Sequence, residues 1–599
     1  MNQPILTLSD LAFTYRDAAI PALDQINYHH RRGEFTVIVG ETGAGKSTLC
    51  RCLNGLIPSF TKGRLDGSLQ VAGHQASERP QVYELARIVG LVFQDFEAQL
   101  FSTNVELETA FALENFAVDR DQMKTRVKKA LNRVGLSGFE QRDPSSLSGG
   151  EKQRLAIASV LAGSPSVLVM DEPTTDLDPI GKRGIFKLAQ VLRNEIEGIV
   201  LVEHETEHVL SADRILLMHE GRIVQEGPPG EILADPRNVE RHGVRPLQTT
   251  VLLSELGLET DALTIPDAAA RIRSAGWRVK KSAQESLEGA RWRDSSVEPP
   301  QEPAHETAGE RPGAIQDETQ REPSREPPVE PRQAVIHIEN LVFRYGEALP
   351  AVDGVSLDIA AGEFVALVGQ NGCGKTTLAK HLNGLHTPTE GKVRVLGKST
   401  TDWTLPDLGR RVGYVFQNPD HQIFANTVRD EVAFGARNYG FSEEEVGEKV
   451  DKALAETGLP GRDLEDPFNL TRGERQQLAV ASVLATDPGI LVLDEPTTGL
   501  DYHGQVAILN LVRRLNESGR TVVMITHSMW VVAEYADRCI IMSGGRVVQD
   551  GDVRTCFSNP DLLESLYLEA PEAVRLGYEF GLVARSVKEI ADCLERVEE

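Results

Sequence analysis

The chain contains two copies of one long sequence pattern, and this repeat limits the possible folds more than any other feature. The segment ETGAGKSTLCRCLNGLIP (41–58) recurs as QNGCGKTTLAKHLNGLHT (370–387). Gln94 and Gln417 are 323 residues apart, and the two copies keep this spacing without a net gap for the next 110 residues. A repeat this long predicts two domains of the same fold joined in tandem.

The segment between the copies has a different composition from either of them. Residues 295–331 contain eight prolines and nine acidic residues, with few apolar ones. Such a stretch buries too little apolar surface to fold, so it predicts a disordered linker. We expect the following division of the chain: 1–235, first repeated domain; 236–285, helical appendage; 286–333, acidic, proline-rich linker; 334–558, second repeated domain; 559–599, C-terminal helical appendage.

Composition excludes some classes of function. The formal net charge of -26 and the sequence pI near 5.1 argue against broad binding to nucleic acid. No uninterrupted apolar run of about 18 residues is present, and the N-terminus lacks a basic region followed by an apolar one. We therefore expect a cytoplasmic protein whose role at a membrane, if it has one, requires a separate membrane partner.

Two phosphate-binding loops follow apolar strands. GETGAGKST (40–48) and GQNGCGKTT (369–377) fit the pattern Gly-x-x-x-x-Gly-Lys-Ser/Thr and precede amphipathic helices. The backbone N–H groups of such a loop surround phosphate oxygens, the lysine reaches the β- and γ-phosphates, and the hydroxyl binds Mg²⁺. The predicted ATP ligands are Gly40, Gly43, Gly45, Lys46, Ser47, Thr48, Gly369, Gly372, Gly374, Lys375, Thr376 and Thr377, with Ser47 and Thr376 also on Mg²⁺.

Paired acids end two further apolar strands, VLVMDE (167–172) and ILVLDE (490–495). We expect Asp171 and Asp494 to bind Mg²⁺ through water, while Glu172 and Glu495 orient or deprotonate the attacking water. Because the pair recurs at a similar distance after each phosphate-loop lysine, the two copies predict two ATPase sites.

The segment LSGGEKQR (147–154) resembles the signature of the ATP-binding-cassette (ABC) superfamily, and the resemblance covers roughly residues 6–235 and 336–558. It implies an α/β fold of two P-loop NTPase (ABC) domains. Each would have a RecA-like parallel-sheet core, an antiparallel β subdomain and a helical subdomain. In the family, the signature contacts the γ-phosphate of ATP held by the opposite domain, a role that falls here to Ser148, Gly149 and Gly150.

The second signature departs from the family pattern. It reads LTRGE. Thr471 keeps the hydroxyl of the serine and Gly473 keeps the second glycine, while Arg472 replaces the first glycine and adds bulk and charge. Because signatures act on the opposite domain, this departure concerns the site of Lys46. We expect that site to hydrolyse ATP more slowly than the site of Lys375. The alternative is that Arg472 is tolerated and both sites turn over.

Other motif positions of the family recur in both copies. The resemblance implies switch histidines that contact the γ-phosphate, glutamines of the Q-loop that also bind Mg²⁺, aspartates of the D-loop that cross the domain interface, and tyrosines that stack on adenine. A histidine or strand aromatic with only a structural role is the competing interpretation. These residues are His204 and His527, Gln94 and Gln417, Asp178 and Asp501, and Tyr15 and Tyr345.

The segments FQDFEAQLF (93–101) and FQNPDHQIF (416–424) resemble the Q-helix of energy-coupling factor (ECF) importers. In that family the acid, here Glu97 or Asp420, pairs with arginines of a transmembrane coupling subunit. The resemblance implies a bacterial or archaeal importer of a vitamin, a vitamin precursor or a transition-metal ion. The chain would lie at the cytoplasmic face of the membrane, with a coupling subunit and a small substrate-binding membrane subunit.

Three alternatives stay open. The acids could form only a solvated surface. The chain could drive a sugar or peptide importer. It could also be a soluble ribosome-associated factor with two cassettes, although such factors usually join the cassettes by a charged helical arm and the joint here is acidic and rich in proline.

Overall fold

The computed structural model describes residues 4–16, 18–75, 82–175, 177–283, 333–346 and 349–597. Apart from Gln333, the predicted linker lies outside this part of the chain. No helix in these ranges is long and apolar enough to cross a membrane.

The first half contains a six-stranded sheet of order β10-β9-β3-β8-β7-β6 and a four-stranded antiparallel sheet of order β2-β1-β4-β5. The six-stranded sheet is parallel except for β10. Its strands are β3 Glu34–Gly40, β6 Val89–Val92, β7 Val167–Asp171, β8 Gly198–Val202, β9 Arg214–His219 and β10 Arg222–Gly227. Those of the smaller sheet are β1 Leu6–Tyr15, β2 Leu23–His30, β4 Gly63–Val71 and β5 His74–Gln75.

Helices cover both faces of the parallel sheet, which explains why every residue of β3, β7 and β8 is buried. The helices of the first half are α1 Lys46–Leu53, α2 Leu56–Ser59, α3 Val82–Ile88, α4 Val105–Asn115, α5 Arg120–Arg133, α6 Gly149–Ala162, α7 Pro179–Leu192, α8 Thr206–Val209, α9 Pro229–Ile232, α10 Pro236–Arg241, α11 Gln248–Glu255 and α12 Ile265–Ser274. A short 3-10 turn spans Pro144–Ser146.

The second half repeats both sheets, with orders β17-β18-β19-β14-β20-β21 and β13-β12-β15-β16. The strands of the larger sheet are β14 Phe364–Gly369, β17 Val412–Val415, β18 Ile490–Asp494, β19 Thr521–Ile525, β20 Arg538–Ser543 and β21 Arg546–Asp552. Those of the smaller sheet are β12 Ala334–Phe343, β13 Val352–Ala360, β15 Glu390–Val395 and β16 Lys398–Ser399. The two α/β cores expected from the repeat are therefore present.

The helices of the second half follow the same order along the chain. They are α13 Lys375–Leu382, α14 Leu405–Gly409, α15 Val428–Asn438, α16 Glu443–Thr457, α17 Arg472–Leu484, α18 Tyr502–Glu517, α19 Met529–Tyr535, α20 Val553–Phe557, α21 Pro560–Ser565, α22 Glu572–Tyr578 and α23 Val587–Cys593. Short 3-10 turns span Thr400–Asp402, Pro419–His421 and Pro467–Asn469.

The two predicted appendages pack against each other. Leu252, Leu253 and Ile272 from the first half share a buried apolar cluster with Leu576 and Ile590 from the second. Beside it, β11 (Trp277–Val279) pairs antiparallel with β22 (Leu594–Arg596). Apolar spacing predicted only helices here, because a three-residue strand is too short to show an alternating pattern and its partner lies more than 300 residues away in sequence.

Candidate nucleotide-binding sites

Two glycines in each phosphate loop leave no room for a side chain. A Cβ on Gly40 or Gly45 would lie 2.2 or 2.4 Å from a backbone carbonyl oxygen of a neighbouring segment, and Gly369 and Gly374 are equally confined. The loops also need positive φ angles, which glycine adopts without steric cost. The loop glycines with positive φ are Gly40, Gly43, Gly45, Gly369, Gly372 and Gly374.

The two loop lysines are buried and point back into their own loops. Lys46 Nζ donates to Gly40 O at 2.9 Å and to Glu41 O at 2.7 Å. Lys375 Nζ makes the same pair of contacts, at 2.9 and 2.8 Å, in the second half. Burial lowers the pKa of Lys46, so an anion beside it would stabilise the charged form. Each loop therefore presents a fixed positive charge at a helix N-terminus, an arrangement that suits a phosphate.

Oxygen atoms suited to Mg²⁺ meet beside each loop. Ser47 Oγ donates to Asp171 Oδ1 at 3.0 Å, and Thr376 Oγ1 donates to Asp494 Oδ1 at 3.2 Å. Hydroxyl and carboxylate oxygens are ligands that Mg²⁺ prefers. Burial, together with the charge of Glu172, raises the pKa of Asp171 to about 6. Both donor sets thus fit the predicted cation.

The two aspartates have different neighbours. Tyr414 donates its hydroxyl to Asp494 Oδ2 at 2.8 Å, whereas the equivalent residue of the first half is Leu91. Sequence analysis did not single out Tyr414. The difference between VGLVFQ in the first copy and VGYVFQ in the second could have indicated it.

The glutamate of the first half lies between the predicted switch and Q-loop residues. Glu172 accepts a hydrogen bond from Gln94 Nε2 at 2.7 Å, and its other carboxylate oxygen is 2.7 Å from His204 Nε2. Burial alone would raise the pKa of Glu172, but His204 and Lys46 outweigh it and hold that pKa near 2. Glu172 has φ +47, a strained conformation for a residue with a side chain. The fold thus keeps this carboxylate ionised and fixed in direction.

The second half repeats this cluster with longer contacts. Gln417 Nε2 donates to Glu495 Oε2 at 3.2 Å, and His527 Nδ1 lies 3.2 Å from the same oxygen. Burial is again outweighed by His527 and Lys375, so the pKa of Glu495 is about 2. Its φ of +48 matches that of the first half.

The two predicted tyrosines lie beside the phosphate-loop helices. Tyr15 forms a hydrogen bond through its hydroxyl with Thr48 Oγ1 at 3.0 Å, and Tyr345 does so with Thr377 Oγ1 at 3.1 Å. Tyr345 is 52% exposed, so its ring has a free face. Tyr345 therefore lies at the exposed edge of its phosphate loop, whereas the half-buried Tyr15 also packs against the core of the first half.

Both signature segments form the same helix start. Ser148 caps α6 and Thr471 caps α17, each in a reciprocal capping box with the glutamate three residues later. Gly149, Gly150 and Gly473 lie in the first turns of these helices. Replacement of Ser by Thr thus leaves the local geometry unchanged.

The two halves meet at the first phosphate loop. Thr42 N donates to Asp501 Oδ2 at 2.7 Å, so a predicted D-loop residue of the second half contacts the loop of the first. Both D-loop aspartates also cap helices of their own half. Asp178 accepts from Gly181 N at 2.8 Å, and Asp501 accepts from Gly504 N at 2.7 Å.

The predicted partner-binding acids form ion pairs within their own half. Glu97 Oε1 lies 2.6 Å from Lys152 Nζ, and Asp420 Oδ1 lies 2.8 Å from Arg475 Nε. Lys152 and Arg475 occupy equivalent positions on α6 and α17. Sequence analysis missed these bases, although an acid and a base recur together in both copies.

An exposed aromatic pair follows each of these acids. Phe101 and Phe111 pack edge to face with ring centroids 4.5 Å apart, and Phe424 and Phe434 do so at 4.7 Å. Their exposures are 61% and 44% in the first half and 59% and 47% in the second. Large aromatic residues this exposed at equivalent positions of two domains indicate a surface built for contact.

Comparison with known protein families and proteins gives matches along the whole chain. The family model described as "ABC transporter" matches residues 23–175 and 352–498. A relative from Caldanaerobacter subterraneus subsp. tengcongensis, named as an ABC transporter ATP-binding protein, is 45% identical over 597 residues and 99% of each chain. One from Methanosarcina acetivorans with the same description is 38% identical, over 96% of this chain and 90% of its own.

A solved structure also resembles part of the chain. It is cbiO1 from Clostridium perfringens, described as part of the ABC transporter complex cbiONQ. It is 32% identical, covers 39% of this chain and 94% of its own, and has a TM-score of 0.36. Because this TM-score is low, the family assignment rests on the family model and the full-length relatives.

Proposed function

The chain belongs to the ABC transporter family, and on that premise we propose that its two cassettes bind MgATP between them and drive an importer of the ECF type. The family makes it an ATP-hydrolysing ATP-binding protein with two cassettes in one chain. The import of a vitamin, a vitamin precursor or a transition-metal ion is the finer part of the proposal.

We assign the phosphates of ATP to Lys46 and Lys375. Mg²⁺ would be held in the first half by Ser47, Gln94 and Asp171, and in the second by Thr376, Gln417 and Asp494. When bound, Mg²⁺ neutralises charge that develops on the phosphates. Binding of ATP would close the two halves around it, and hydrolysis would let them separate.

Glu172 and Glu495 fit the role of orienting the attacking water. A carboxylate with a pKa near 2 is a weak proton acceptor at neutral pH, but it is a strong hydrogen-bond acceptor for water. His204 and His527 now contact these carboxylates and would contact the γ-phosphate once ATP is bound. A movement of the histidine side chain from the glutamate to the γ-phosphate would therefore release the glutamate when ATP binds.

The observation that carries the ECF proposal is the pair of matching surfaces beside the Q-loops. We call each one a coupling surface: Glu97, Phe101 and Phe111 in the first half, and Asp420, Phe424 and Phe434 in the second. In the first, the buried Glu108 fixes the backbone by accepting hydrogen bonds from Phe101 N at 3.0 Å and Ser102 N at 2.8 Å.

The second coupling surface is fixed in the same way. Glu431 accepts from Phe424 N at 3.0 Å and from Ala425 N at 2.8 Å. Two rigid surfaces, each with an acid and exposed aromatic rings, suit a membrane subunit with two docking helices that carry arginine and apolar side chains.

The proposal is tested by purifying the tagged full chain from detergent-solubilised cells of its source and identifying the attached chains by mass spectrometry. We expect one multi-span subunit and one small hydrophobic protein. The double variant Phe101→Ser/Phe424→Ser should lose both while keeping ATP binding. Val548→Ser, at a 47% exposed valine on β21, the edge strand at the opposite side of the larger sheet from β17, is the control.

Other outcomes would point elsewhere. Two multi-span chains without the small protein would favour a sugar or peptide importer. Ribosomal proteins without a membrane chain would overturn the transport proposal and leave the ATPase assignment intact.

A further inference from the structure

We propose that Arg472 is a phosphate ligand of the ATP bound at the first phosphate loop, supplied across the interface by the second half. The inference rests on the assignment of the nucleotide sites above. It gives a function to the residue that departs from the family signature.

The backbone at Arg472 is that of an intact signature. Thr471 caps α17, and Arg472 is the first residue of this helix, as Gly149 is the first residue of α6. The side chain of Arg472 extends to Gly499, the third residue after Pro496 in the loop that follows β18. Bulk at position 472 therefore leaves the helix start undisturbed.

Gly499 makes room for the guanidinium group. A Cβ built on Gly499 would lie 2.5 Å from Arg472 Cζ and 2.7 Å from its Nη1, closer than any real contact. The first half has Gly149 and Asp176 at the two equivalent positions. The arginine and the glycine thus occur together in the second copy, whereas the first has neither an arginine at 149 nor a glycine at 176.

This arrangement places Arg472 at the interface with the first site. Gly499 lies two residues before Asp501, whose carboxylate accepts the hydrogen bond from Thr42 N of the first phosphate loop. The loop under the guanidinium is therefore the same one that contacts the first half. Asp501 also interacts electrostatically with Lys46, so the loop under the guanidinium lies beside the phosphates that Lys46 would hold.

The N–H donors of the Arg472 guanidinium group have no protein partner among the described residues. Arg472 is half-buried, and within the described ranges it makes no hydrogen bond or ion pair. Its nitrogens are not among the buried atoms of the described residues that lack a partner, so solvent reaches them and an anion could replace that water on five N–H donors. A terminal phosphate offers oxygens in the planar, paired geometry that arginine matches best. We assign the γ-phosphate of ATP at the first phosphate loop as that acceptor.

An arginine in this position would strengthen binding more than it accelerates hydrolysis. An interaction made equally with bound ATP and with the transition state tightens binding without raising the rate of the bound complex.

The test measures nucleotide affinity at each half of the full chain. The protein is photolabelled with 8-azido-ATP in the presence of increasing ATP or ADP, and labelled peptides are assigned to the two halves by mass spectrometry. For Arg472→Gly we expect ATP to compete about tenfold less well at the first half, the effect of one charge-assisted hydrogen bond to phosphate. ADP competition there, and both nucleotides at the second half, should be unchanged.

A second variant keeps Arg472 but gives its guanidinium group a competing partner. In Gly499→Asp the new carboxylate would pair with Arg472, as an aspartate stands at this position in the first half. We expect the same selective loss of ATP affinity at the first half. Arg472→Lys should keep part of the affinity, and Arg514→Ala, an exposed arginine on α18, should keep all of it.

Unchanged ATP competition in Arg472→Gly would overturn the inference. An equal loss for ATP and ADP would also overturn it, because a purely structural role affects both nucleotides. If the unchanged chain showed no label that ATP displaces at either half, the assignment of the nucleotide sites would fail first and this inference with it.

Discussion

The two nucleotide sites contain the same residues but differ in what surrounds them. In both, a glutamate at positive φ contacts a histidine and a glutamine. They differ in the signature that the family pattern assigns to each, which has Arg472 for the first site and Gly149 for the second. They differ also beside the Mg²⁺ candidates, where only the second half has Tyr414. The comparison shows that repeated motifs determine the chemistry, while contacts made by unrepeated residues distinguish the two copies.

The contacts that the appendages make also differ between the two halves. Position 207 in the first half and 530 in the second each lie three residues after a switch histidine. Arg575 of the second half forms an ion pair with Glu207, and Arg245 of the first half lies 4.6 Å above the ring of Trp530. Both switch segments therefore contact an arginine from the opposite half, one by charge and one by a cation–π contact.

The largest effect should separate the two glutamates. We expect Glu495→Gln to reduce steady-state ATP hydrolysis by about 100-fold or more, because it removes the water-orienting carboxylate of the site opposite the intact signature. Glu172→Gln should reduce it by less than about tenfold. Phosphate release from both variants, with ATP binding as control, measures the difference. Equal losses would contradict the predicted asymmetry.

The next effect concerns the contact between the appendages. Glu572 is buried and accepts hydrogen bonds from Gln248 N at 2.8 Å and Thr249 N at 3.3 Å. Burial and the charge of Glu207 raise its pKa to about 7. Its stabilising contribution is then complete below the unfolded pKa of about 4.5 and is lost as pH rises through about 7. Above that pH the buried charge costs up to about 3 kcal/mol.

We therefore expect Glu572→Gln to raise the unfolding temperature relative to the unchanged chain at pH 8 and to lose this advantage by about pH 5. Thermal unfolding followed across this pH range is the measurement, with Glu595→Gln, at an exposed residue of β22, as control. Parallel curves for the variant and the unchanged chain would show that Glu572 does not control this dependence.

The smallest effects should distinguish the two arginine contacts. Arg575→Ala removes the partner of Glu207 and of Glu569, which lies 3.0 Å from Arg575 Nη1, and should cost about 1–3 kcal/mol. Arg245→Ala removes one cation–π contact and should cost about 0.5–1 kcal/mol. Unfolding temperatures rank the two. Removing Glu207 together with Arg575 should restore part of the loss, and an equal or reversed ranking would contradict the comparison.

Much of the fold could be predicted because its determinants are local. Continuous apolar runs such as 167–170 and 490–493 predict strands buried on both faces, and the glycines of the two loops predict the turns that follow. The candidate site residues of each half could also be predicted, because each of them belongs to a motif that occurs in both copies. The ion pairs of Glu97 with Lys152 and of Asp420 with Arg475 were not predicted, because an acid and a base 55 residues apart in sequence carry no periodic signal.

The sequence by itself determined the family, the α/β class, the tandem arrangement and the shape of the phosphate loops, because each depends on residue types at short, fixed spacings. Only the tertiary structure decided which residues meet across the two halves: Asp501 at Thr42, Arg575 at Glu207, and β11 beside β22. These contacts join residues more than 300 positions apart. They depend on how whole surfaces pack, and packing of that kind leaves no pattern along the chain.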